Sequence, residues 1–295
     1  MFTGLSAFPL TPLVDDVIDE RAFAGLIERL VDAEVDSITA LGSTGSYAFL
    51  SLAERARVAR LAVEQAGSVP VLVGIGALRT SDVLRAAEDA QDAGAAGLLL
   101  APVSYQALTA DDVFGLYEEV SAAVDLPIVV YDNPGTTHFA FTDELYAAVA
   151  RLPRVASIKV PPLSADPTAA SARLQALRAL VPADVTIGVS GDVRAAGGLN
   201  AGADAWYSVI AGTLPAPAVA ISRAAQSGDA DAATALAARL APLWALFDEH
   251  GSLRVTAAVA EELGLVRAPS LPRPIRGLDA TARDAVRSAL TALGV

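Results

Sequence analysis

The chain contains one lysine, Lys159, in the segment Ser157-Ile158-Lys159-Val160-Pro161-Pro162, and the rest of its 21 basic residues are arginines. Apolar neighbours flank this lysine, so we expect its ammonium group to be partly desolvated. Desolvation lowers the pKa of an amine and makes it nucleophilic near neutral pH, which a guanidinium group cannot match. Lys159 is therefore the predicted nucleophile of a Schiff-base reaction. The alternative is a strand-end lysine whose stem packs in the core and whose charge meets a carboxylate or water.

A small turn of glycines and hydroxyls, Gly42-Ser43-Thr44-Gly45, offers backbone amides and two hydroxyl groups to a bound anion. It lacks the lysine of a phosphate-binding P-loop. Tight turns of this composition also occur without any ligand, and that alternative stays open for the turn taken alone.

A phenol stands in the segment Tyr131-Asp132-Asn133-Pro134-Gly135. We expect Tyr131 to lie one strand away from Lys159, where a phenol can act as a general acid and base. The alternative is a rim tyrosine whose hydroxyl group is satisfied by the protein itself.

Short β-branched runs alternate with helical patterns along the chain, which is typical of βα units and a parallel sheet. The predicted strands cover residues 5–8, 37–41, 69–75, 97–101, 128–131, 156–159, 186–190 and 205–209. This order predicts the α/β class and a (β/α)8 TIM barrel. The active site of such a barrel lies at the carboxyl ends of the strands, where Lys159, Tyr131 and the hydroxyl turn are placed.

After the eighth strand the pattern is only helical, over residues 216–226, 229–249, 252–263 and 279–293. Helix starts are marked by a capping box at Ser51-Leu52-Ala53-Glu54 and by Thr109 and Thr142 at N-cap positions. No linker rich in serine and glycine divides the chain. Residues 1–213 are therefore predicted to form the barrel, and residues 214–295 a C-terminal helical extension of the same structural unit.

The composition excludes several classes of protein. With 53% hydrophobic residues and 19% charged residues, the chain can fill a large core. A net charge of −13 disfavours nucleic acids and membrane surfaces as partners. The first residues lack the pattern of a secretory signal, so we expect a cytoplasmic protein. Without cysteine, and with only His138 and His250, thiolate chemistry and a histidine metal cluster are excluded.

Together, and in this order on successive strand ends, these pieces resemble the dihydrodipicolinate synthase and N-acetylneuraminate lyase family of class I aldolases. The resemblance covers nearly the whole chain. The family's glycine–hydroxyl–threonine–glycine turn stands at residues 42–45, its tyrosine-x-x-proline at residues 131–134, its isoleucine–lysine at residues 158–159 and its serine–glycine–aspartate turn at residues 190–192. The combination is far more specific than any one motif.

The resemblance implies a Schiff-base lyase in which Lys159 attacks the 2-oxo carbon of pyruvate or another 2-oxo acid. Ser43 and Thr44, with the backbone of their turn up to Gly45, would hold the substrate carboxylate. Tyr131 would shuttle protons through Thr44 while the imine forms and a carbon–carbon bond is made or broken. The implied partners are a small 2-oxo acid and an aldehyde, and no metal or organic cofactor is implied.

The resemblance also implies a homotetramer, built as a dimer of dimers, in which a tyrosine from a neighbouring subunit completes the proton relay. The corresponding segment here is Pro102-Val103-Ser104-Tyr105-Gln106. Tyr105 lies close to the family's position, although not at it, and is the candidate for this role.

Two positions depart from synthases that condense pyruvate with aspartate semialdehyde. Those enzymes place an arginine two residues after the proline, where this chain has Thr136, and a glutamate after the second glycine of the turn, where it has Ser46. Loss of a bidentate carboxylate clamp weakens the binding of an acidic aldehyde. 4-Hydroxy-tetrahydrodipicolinate synthase activity is therefore the less favoured alternative.

Sugar-acid lyases bind a polyol with polar groups after the lysine and on the seventh loop. Val160 and Pro161 suit that poorly, but Thr137 and other groups near later strand ends are available. The substrate-binding candidates of this region are Thr136, Ser190, Asp192, Tyr207 and Ser208. We expect His138, Trp206 and Tyr207 at the pocket mouth, where they favour a less hydrophilic or aromatic aldehyde, unless they pack against the helical tail.

Two hypotheses from other classes use the same residues. A catalytically silent barrel could bind a 2-oxo acid or sugar acid as a sensor, but binding alone requires neither an amine nor a proton relay. A pyridoxal-phosphate barrel also forms an imine on a lysine. It would need a phosphate-binding glycine turn late in the barrel, where this chain has Trp206-Tyr207-Ser208. The lyase is the favoured prediction.

Overall fold

The computed structural model describes residues 2–295 and contains a closed barrel of eight parallel strands. The strands, numbered in chain order, are β1 Gly4–Ala7, β2 Ser37–Ala40, β3 Val71–Gly74, β4 Gly97–Leu100, β5 Ile128–Tyr131, β6 Val155–Val160, β7 Thr186–Val189 and β8 Ala205–Ser208. Each strand pairs with the next, and β8 closes the barrel on β1. The predicted (β/α)8 fold is confirmed.

Helices follow the strands and cover the outside of the barrel. They are Glu20–Asp32, Leu52–Gln65, Thr80–Asp92, Ala110–Ala123, Pro134–Thr137, Asp143–Val149, Pro167–Leu180, Ala195–Asn200 and Pro215–Gln226. The three predicted caps are confirmed, because the hydroxyl groups of Ser51, Thr109 and Thr142 each accept a hydrogen bond from a backbone N–H of the first turn. Among residues 2–295 no helix has the length and apolar character that crossing a membrane requires.

Side chains alternate along the strands between the barrel interior and the helix layer. The side chains inside the barrel form one buried cluster, the inner cluster, and those between the strands and the helices form another, the outer core. On β5, Val129 and Tyr131 pack in the inner cluster, whereas Val130 belongs to the outer core. On β8, Tyr207 lies in the inner cluster and Trp206 in the outer core. The last inward-facing residues of neighbouring strands therefore meet at the carboxyl end of the barrel.

A two-stranded hairpin, Leu13–Val14 with Val17–Ile18, precedes the first helix and is absent from the predicted elements. Its turn residues Asp15 and Asp16 have φ angles of 50° and 67°. Aspartate is among the residues that tolerate this left-handed conformation, which two-residue hairpin turns require. Strands of two residues are too short to show the alternation on which sequence patterns depend.

The C-terminal extension contains the helices Ala230–Arg239, Ala241–His250, Ser252–Glu262 and Ala280–Leu293. The prediction of one continuous helix over residues 229–249 is wrong, because the chain breaks at Leu240. Pro242 stands in the first turn of the next helix. A proline inside a helix lacks the N–H donor and clashes with the preceding turn, whereas in a first turn it is tolerated.

The extension shares the main core with the barrel. Leu243, Trp244, Val255 and Val286 from the extension belong to the same buried cluster as the outward-facing strand residues. A smaller cluster joins Leu10 after β1 to the loop that follows the helix Ser252–Glu262. The helices of the extension therefore pack directly on the barrel.

Candidate active site

Lys159 lies on β6 and faces the inside of the barrel, since its outward-facing neighbours Ile158 and Val160 pack in the outer core. It is paired in register with Tyr131 of β5. Its side chain is buried, and Nζ lies 4.2 Å from the centroid of the Tyr131 ring and 5.9 Å from that of Phe8. The amine therefore lies close to two aromatic rings in the lining of a cavity.

The electrostatic surroundings of Lys159 favour the neutral amine. Burial lowers its pKa from 10.5 to about 7, and the negative charges of Asp192 and Asp132 only partly oppose this. A charged ammonium loses its hydration when it is buried, which is why desolvation has this sign. At neutral pH a substantial fraction of Lys159 is therefore unprotonated and nucleophilic.

The Tyr131 hydroxyl group is held by two side chains of the same subunit. It shares a hydrogen bond of 3.1 Å with Ser43 Oγ, and Asn133 Nδ2 donates to it over 2.8 Å. Burial raises the pKa of Tyr131, and the hydrogen bonds with Ser43 and Asn133 oppose the rise. Because Asn133 donates, the phenol's own proton is free to point to Ser43 or to a substrate.

The hydroxyl turn places Ser43 and Thr44 on the cavity wall. Its backbone is sharply bent, with Leu41 at a φ of 58°. A Cβ atom on Gly42 would lie 2.5 Å from the Phe8 ring, so only glycine fits there. Gly45 packs on the backbone of Leu41, at 3.0 Å from an added Cβ to the Leu41 nitrogen, and does not line the cavity. The Tyr131 phenol is hydrogen-bonded to Ser43 here, and the relay through Thr44 stays a proposal.

Asp192 and Ser190 follow β7 and line the cavity, but their polar atoms are engaged with the protein. Asp192 accepts hydrogen bonds from Trp206 Nε1 at 3.0 Å and from the backbone N–H groups of Val209 at 3.2 Å and Ile210 at 2.7 Å. Burial raises the pKa of Asp192, and these donors oppose the rise. Ser190 Oγ donates to the Val160 carbonyl over 2.7 Å. Both residues brace the ends of neighbouring strands.

The β8 residues divide between the two faces of the barrel. Tyr207 points inward, lines the cavity and shares a hydrogen bond of 2.8 Å with Ser157 Oγ. Ser208 points outward, and its Oγ accepts from the Ala211 N–H at 3.1 Å. The expectation that Trp206 lies at the pocket mouth is wrong, because this residue is fully buried in the outer core. Successive side chains of a strand point to opposite faces, so Trp206 and Tyr207 lie on opposite sides of the barrel wall.

Of three further candidates, Thr136 lies in the short helix Pro134–Thr137, and His138 and Tyr105 lie in loops. Thr136 is exposed and lines the cavity. His138 is exposed and outside the cavity lining. Tyr105 is 90% exposed and does not reach the cavity of its own subunit. A role for Tyr105 in a neighbouring subunit therefore stays a proposal.

The cavity has a volume of about 670 Å³ and opens at the carboxyl end of the barrel. Several of its residues are absent from the predicted site: Phe8, Tyr47, Asn133, Val193, Phe247, Ser252, Leu253 and Ile275. Asn133 and Tyr47 stand in or beside the quoted motifs, and their polar side chains could have marked them. The residues of the extension belong to no motif, since only the packing of the tail brings them there. Within residues 2–295 no histidine, cysteine and carboxylate groups cluster as metal ligands would.

Comparisons with known proteins agree with this arrangement. A model of the Dihydrodipicolinate synthetase family matches residues 1–293. A relative from Methylococcus capsulatus, called 4-hydroxy-tetrahydrodipicolinate synthase, is 32% identical over 98% of this chain and 97% of its own length.

Solved structures of dihydrodipicolinate synthases are also similar to this chain. A dihydrodipicolinate synthase from Agrobacterium tumefaciens has a TM-score of 0.95 and 46% identity, over 99% of this chain and 98% of that chain. A dihydrodipicolinate synthase from Acinetobacter baumannii, complexed with pyruvate, has a TM-score of 0.90 and 25% identity over 100% of both chains. The chain therefore belongs to the dihydrodipicolinate synthetase family and is an aldolase-type lyase of the class that reacts through a Schiff base.

Proposed function

We propose that Lys159 forms the Schiff base with pyruvate or another small 2-oxo acid, and that the resulting enamine makes or breaks a carbon–carbon bond with an aldehyde. The observation that carries this proposal is the buried amine itself, which lines a cavity of about 670 Å³ and has a pKa lowered to about 7. A neutral amine in a water-poor site is the form that attacks a ketone carbon.

The chemistry proceeds by proton transfers that the neighbouring groups can serve. The Lys159 nitrogen adds to the 2-oxo carbon, and the carbinolamine loses water to give a protonated imine. The methyl carbon then loses a proton, and the imine nitrogen takes up the electron pair as the enamine forms. Tyr131 is the proposed acid and base, with Ser43 and Thr44 passing protons and, with their backbone amides, holding the substrate carboxylate.

Borohydride reduction tests the nucleophile. Incubation with pyruvate followed by reduction traps the imine as a secondary amine, which adds the mass of a lactyl group to the chain. We expect one adduct on the wild-type protein and none on Lys159→Arg, which keeps a positive charge but cannot form the imine. An unmodified wild-type protein with pyruvate and other small 2-oxo acids would overturn the proposal, and this is the result expected of a silent binding barrel.

A second candidate is 4-hydroxy-tetrahydrodipicolinate synthase, which condenses pyruvate with aspartate semialdehyde. The name of the Methylococcus capsulatus relative, similar along nearly its whole length, favours it. The cavity lining disfavours this activity. No arginine of the described residues lines the cavity, and Thr136 occupies the position where the resemblance expects an arginine. Turnover of pyruvate with aspartate semialdehyde decides between the two candidates.

We also propose that the enzyme is a homotetramer working in the cytoplasm. The family resemblance supports the assembly, and so do the apolar side chains that the carboxyl-end loops expose. Phe49 is 48% exposed, Leu78 66% and Tyr105 90%, and aromatic side chains are enriched where protein subunits meet. Sedimentation of the purified protein tests the assembly, and a stable monomer at micromolar concentration would rule it out.

A further inference from the structure

Apolar side chains line much of the cavity, and the C-terminal extension supplies three of them. The extension contributes Phe247, Leu253 and Ile275, whereas the barrel loops contribute Phe49, Val193 and Val209. Phe247 is nearly buried in the helix Ala241–His250, which fixes its ring in place. These six residues define the apolar wall, and Ser43 and Thr44 of the hydroxyl turn line the same cavity.

Charged groups are sparse around the same space. Among the described residues that line the cavity, only Lys159 and Asp192 have side chains of a type that is usually charged at neutral pH. The amine is consumed when the imine forms, and Asp192 is occupied by Trp206 and two backbone donors. Arg55, the arginine buried nearby, donates to the carbonyls of Gly74 and Gly76 at 3.0 and 3.1 Å and does not line the cavity.

This distribution of groups discriminates between second substrates. A carboxylate seated on the apolar wall would lose its hydration without gaining a cation, which is costly. A hydrocarbon group at the same place loses only unfavourable contact with water. The neutral hydroxyl groups of Ser46, Thr136 and Ser252 also line the cavity and can donate to an aldehyde oxygen.

We propose that the second substrate is an uncharged aldehyde with an aliphatic or aromatic group, which the apolar wall binds. The proposal rests on the Schiff-base function proposed above. The enamine carbon attacks the aldehyde carbon, the aldehyde oxygen takes a proton, and water then releases a 4-hydroxy-2-oxo acid and regenerates the Lys159 amine. In the cleavage direction the same atoms return pyruvate and the free aldehyde.

A comparison of aldehydes tests this specificity. Purified enzyme is assayed with pyruvate and either benzaldehyde, hexanal or succinic semialdehyde, which carries a carboxylate. We expect kcat/KM for benzaldehyde or hexanal to exceed that for succinic semialdehyde by at least roughly 10-fold, since an unpaired buried charge is rejected more strongly than a poorly fitting methylene. A preference for the acidic aldehyde would overturn the proposal.

Substitutions in the wall locate the subsite. Phe247→Ala and Leu253→Ala are expected to lower kcat/KM for benzaldehyde roughly 10- to 100-fold, with pyruvate trapping by borohydride unchanged. Val17→Ala, at an exposed residue outside the cavity, is the matched control and should change neither. Because Leu253 is only half-buried, its variant reports on the wall even if Phe247→Ala fails to fold. Unchanged benzaldehyde kinetics in Leu253→Ala would contradict the assignment.

Adding a cation provides the opposite test. Thr136 is exposed and lines the cavity, so Thr136→Arg can be accommodated without disturbing the core. We expect it to raise kcat/KM for succinic semialdehyde by roughly 10-fold and to lower that for benzaldehyde. A protein that traps pyruvate but shows no preference for uncharged aldehydes would overturn this inference alone. A protein that fails to trap pyruvate would overturn the proposed function itself.

Discussion

At the Lys159 amine, burial determines how the reaction depends on pH. Only the neutral amine attacks a ketone, and the neutral fraction rises with pH through the folded-state pKa of about 7. We expect the rate of pyruvate adduct formation to rise through this pH and to level off above about pH 8. Borohydride quenching between pH 5.5 and 9 measures it. A rise centred near the ordinary lysine value of 10.5 would contradict the assignment.

Because it is buried, Lys159 also lowers the free energy of unfolding. The unfolded lysine titrates near 10.5 and the folded one near 7, so the unfolded chain binds more protons between these values. Wild-type stability therefore increases with pH across that window. We expect Lys159→Met to raise the free energy of unfolding by about 2–4 kcal/mol at pH 6, and by less at pH 9. Urea denaturation at both values measures the difference, and an equal gain at each would refute the linkage.

The Asn133 amide stabilises the ionised form of Tyr131 by donating to its oxygen. Asn133→Leu removes this donor at nearly constant volume, so the pKa of Tyr131 rises further. We expect a roughly 10-fold lower kcat and an alkaline shift of the pH–rate profile, whereas Tyr131→Phe costs about 100-fold or more.

Asn133→Asp is the informative control for this residue. A carboxylate can only accept a hydrogen bond from the phenol, so it reverses the direction of the contact and holds the proton that Tyr131 releases in the proposed mechanism. Activity equal to wild type in both Asn133 variants would show that the amide is merely structural.

Residue-level prediction was possible where a residue type is chemically distinctive. Lys159 is unique in the chain, and Tyr131 precedes a recognisable proline motif. The pairing of Tyr131 with Ser43 and Asn133 was not predictable, because it depends on the directions that side chains take at two strand ends. Ser208 illustrates the same limit, since a shift of one residue from Tyr207 places it outside the cavity lining.

On β7, Gly188 makes room for the Tyr207 ring of the neighbouring strand. A Cβ atom at this position would lie 2.3 Å from Tyr207 Cε2. We expect Gly188→Ala to lower the free energy of unfolding by about 1–3 kcal/mol, because the ring must move within a packed barrel. The displaced ring also loses its hydrogen bond to Ser157.

Gly197 provides the matched control in the helix Ala195–Asn200, since an added Cβ there meets no atom within 4 Å. Gly197→Ala should stabilise the protein by about 0.5–1 kcal/mol, because alanine has less freedom to lose when the helix forms. Urea denaturation of both variants compares the two glycines. Similar effects would mean that crowding at Tyr207 is not the cause.

At the scale of elements, the eight strands were predictable because buried parallel strands are nearly continuous apolar runs between helical patterns. Their observed bounds differ from the predicted ones by at most two residues, as for β3, which is Val71–Gly74 where residues 69–75 were expected. The break at Leu240 was missed because the helical periodicity continues across it, although Pro242 carried the signal. The tail's place beside the cavity follows from tertiary packing, which local patterns do not contain.

The barrel and the extension share the outer core, which supports the proposal that residues 1–213 and 214–295 form a single structural unit. The chain's two tryptophans report on the two parts separately, since Trp206 lies on β8 and Trp244 in the extension. Both belong to the same buried cluster. We therefore expect the barrel and the extension to unfold together in one cooperative transition.

Fluorescence of two single-tryptophan proteins measures this cooperativity. Trp244→Phe leaves the barrel reporter and Trp206→Phe leaves the reporter of the extension. In each protein the fluorescence midpoint in urea should coincide with the midpoint from circular dichroism. An extension that melts before the barrel would separate the chain into two units.

Because the chain contains a single lysine, proteolysis can measure the fraction of subunits that form an imine. An endoproteinase that cuts only after lysine divides the unfolded chain into residues 1–159 and 160–295, because Lys159 is its one cleavage site. Alkylation of that amine abolishes the cleavage. The fraction of chain that stays full length after reduction and digestion therefore equals the fraction of subunits that held an imine, read from a gel without a substrate assay.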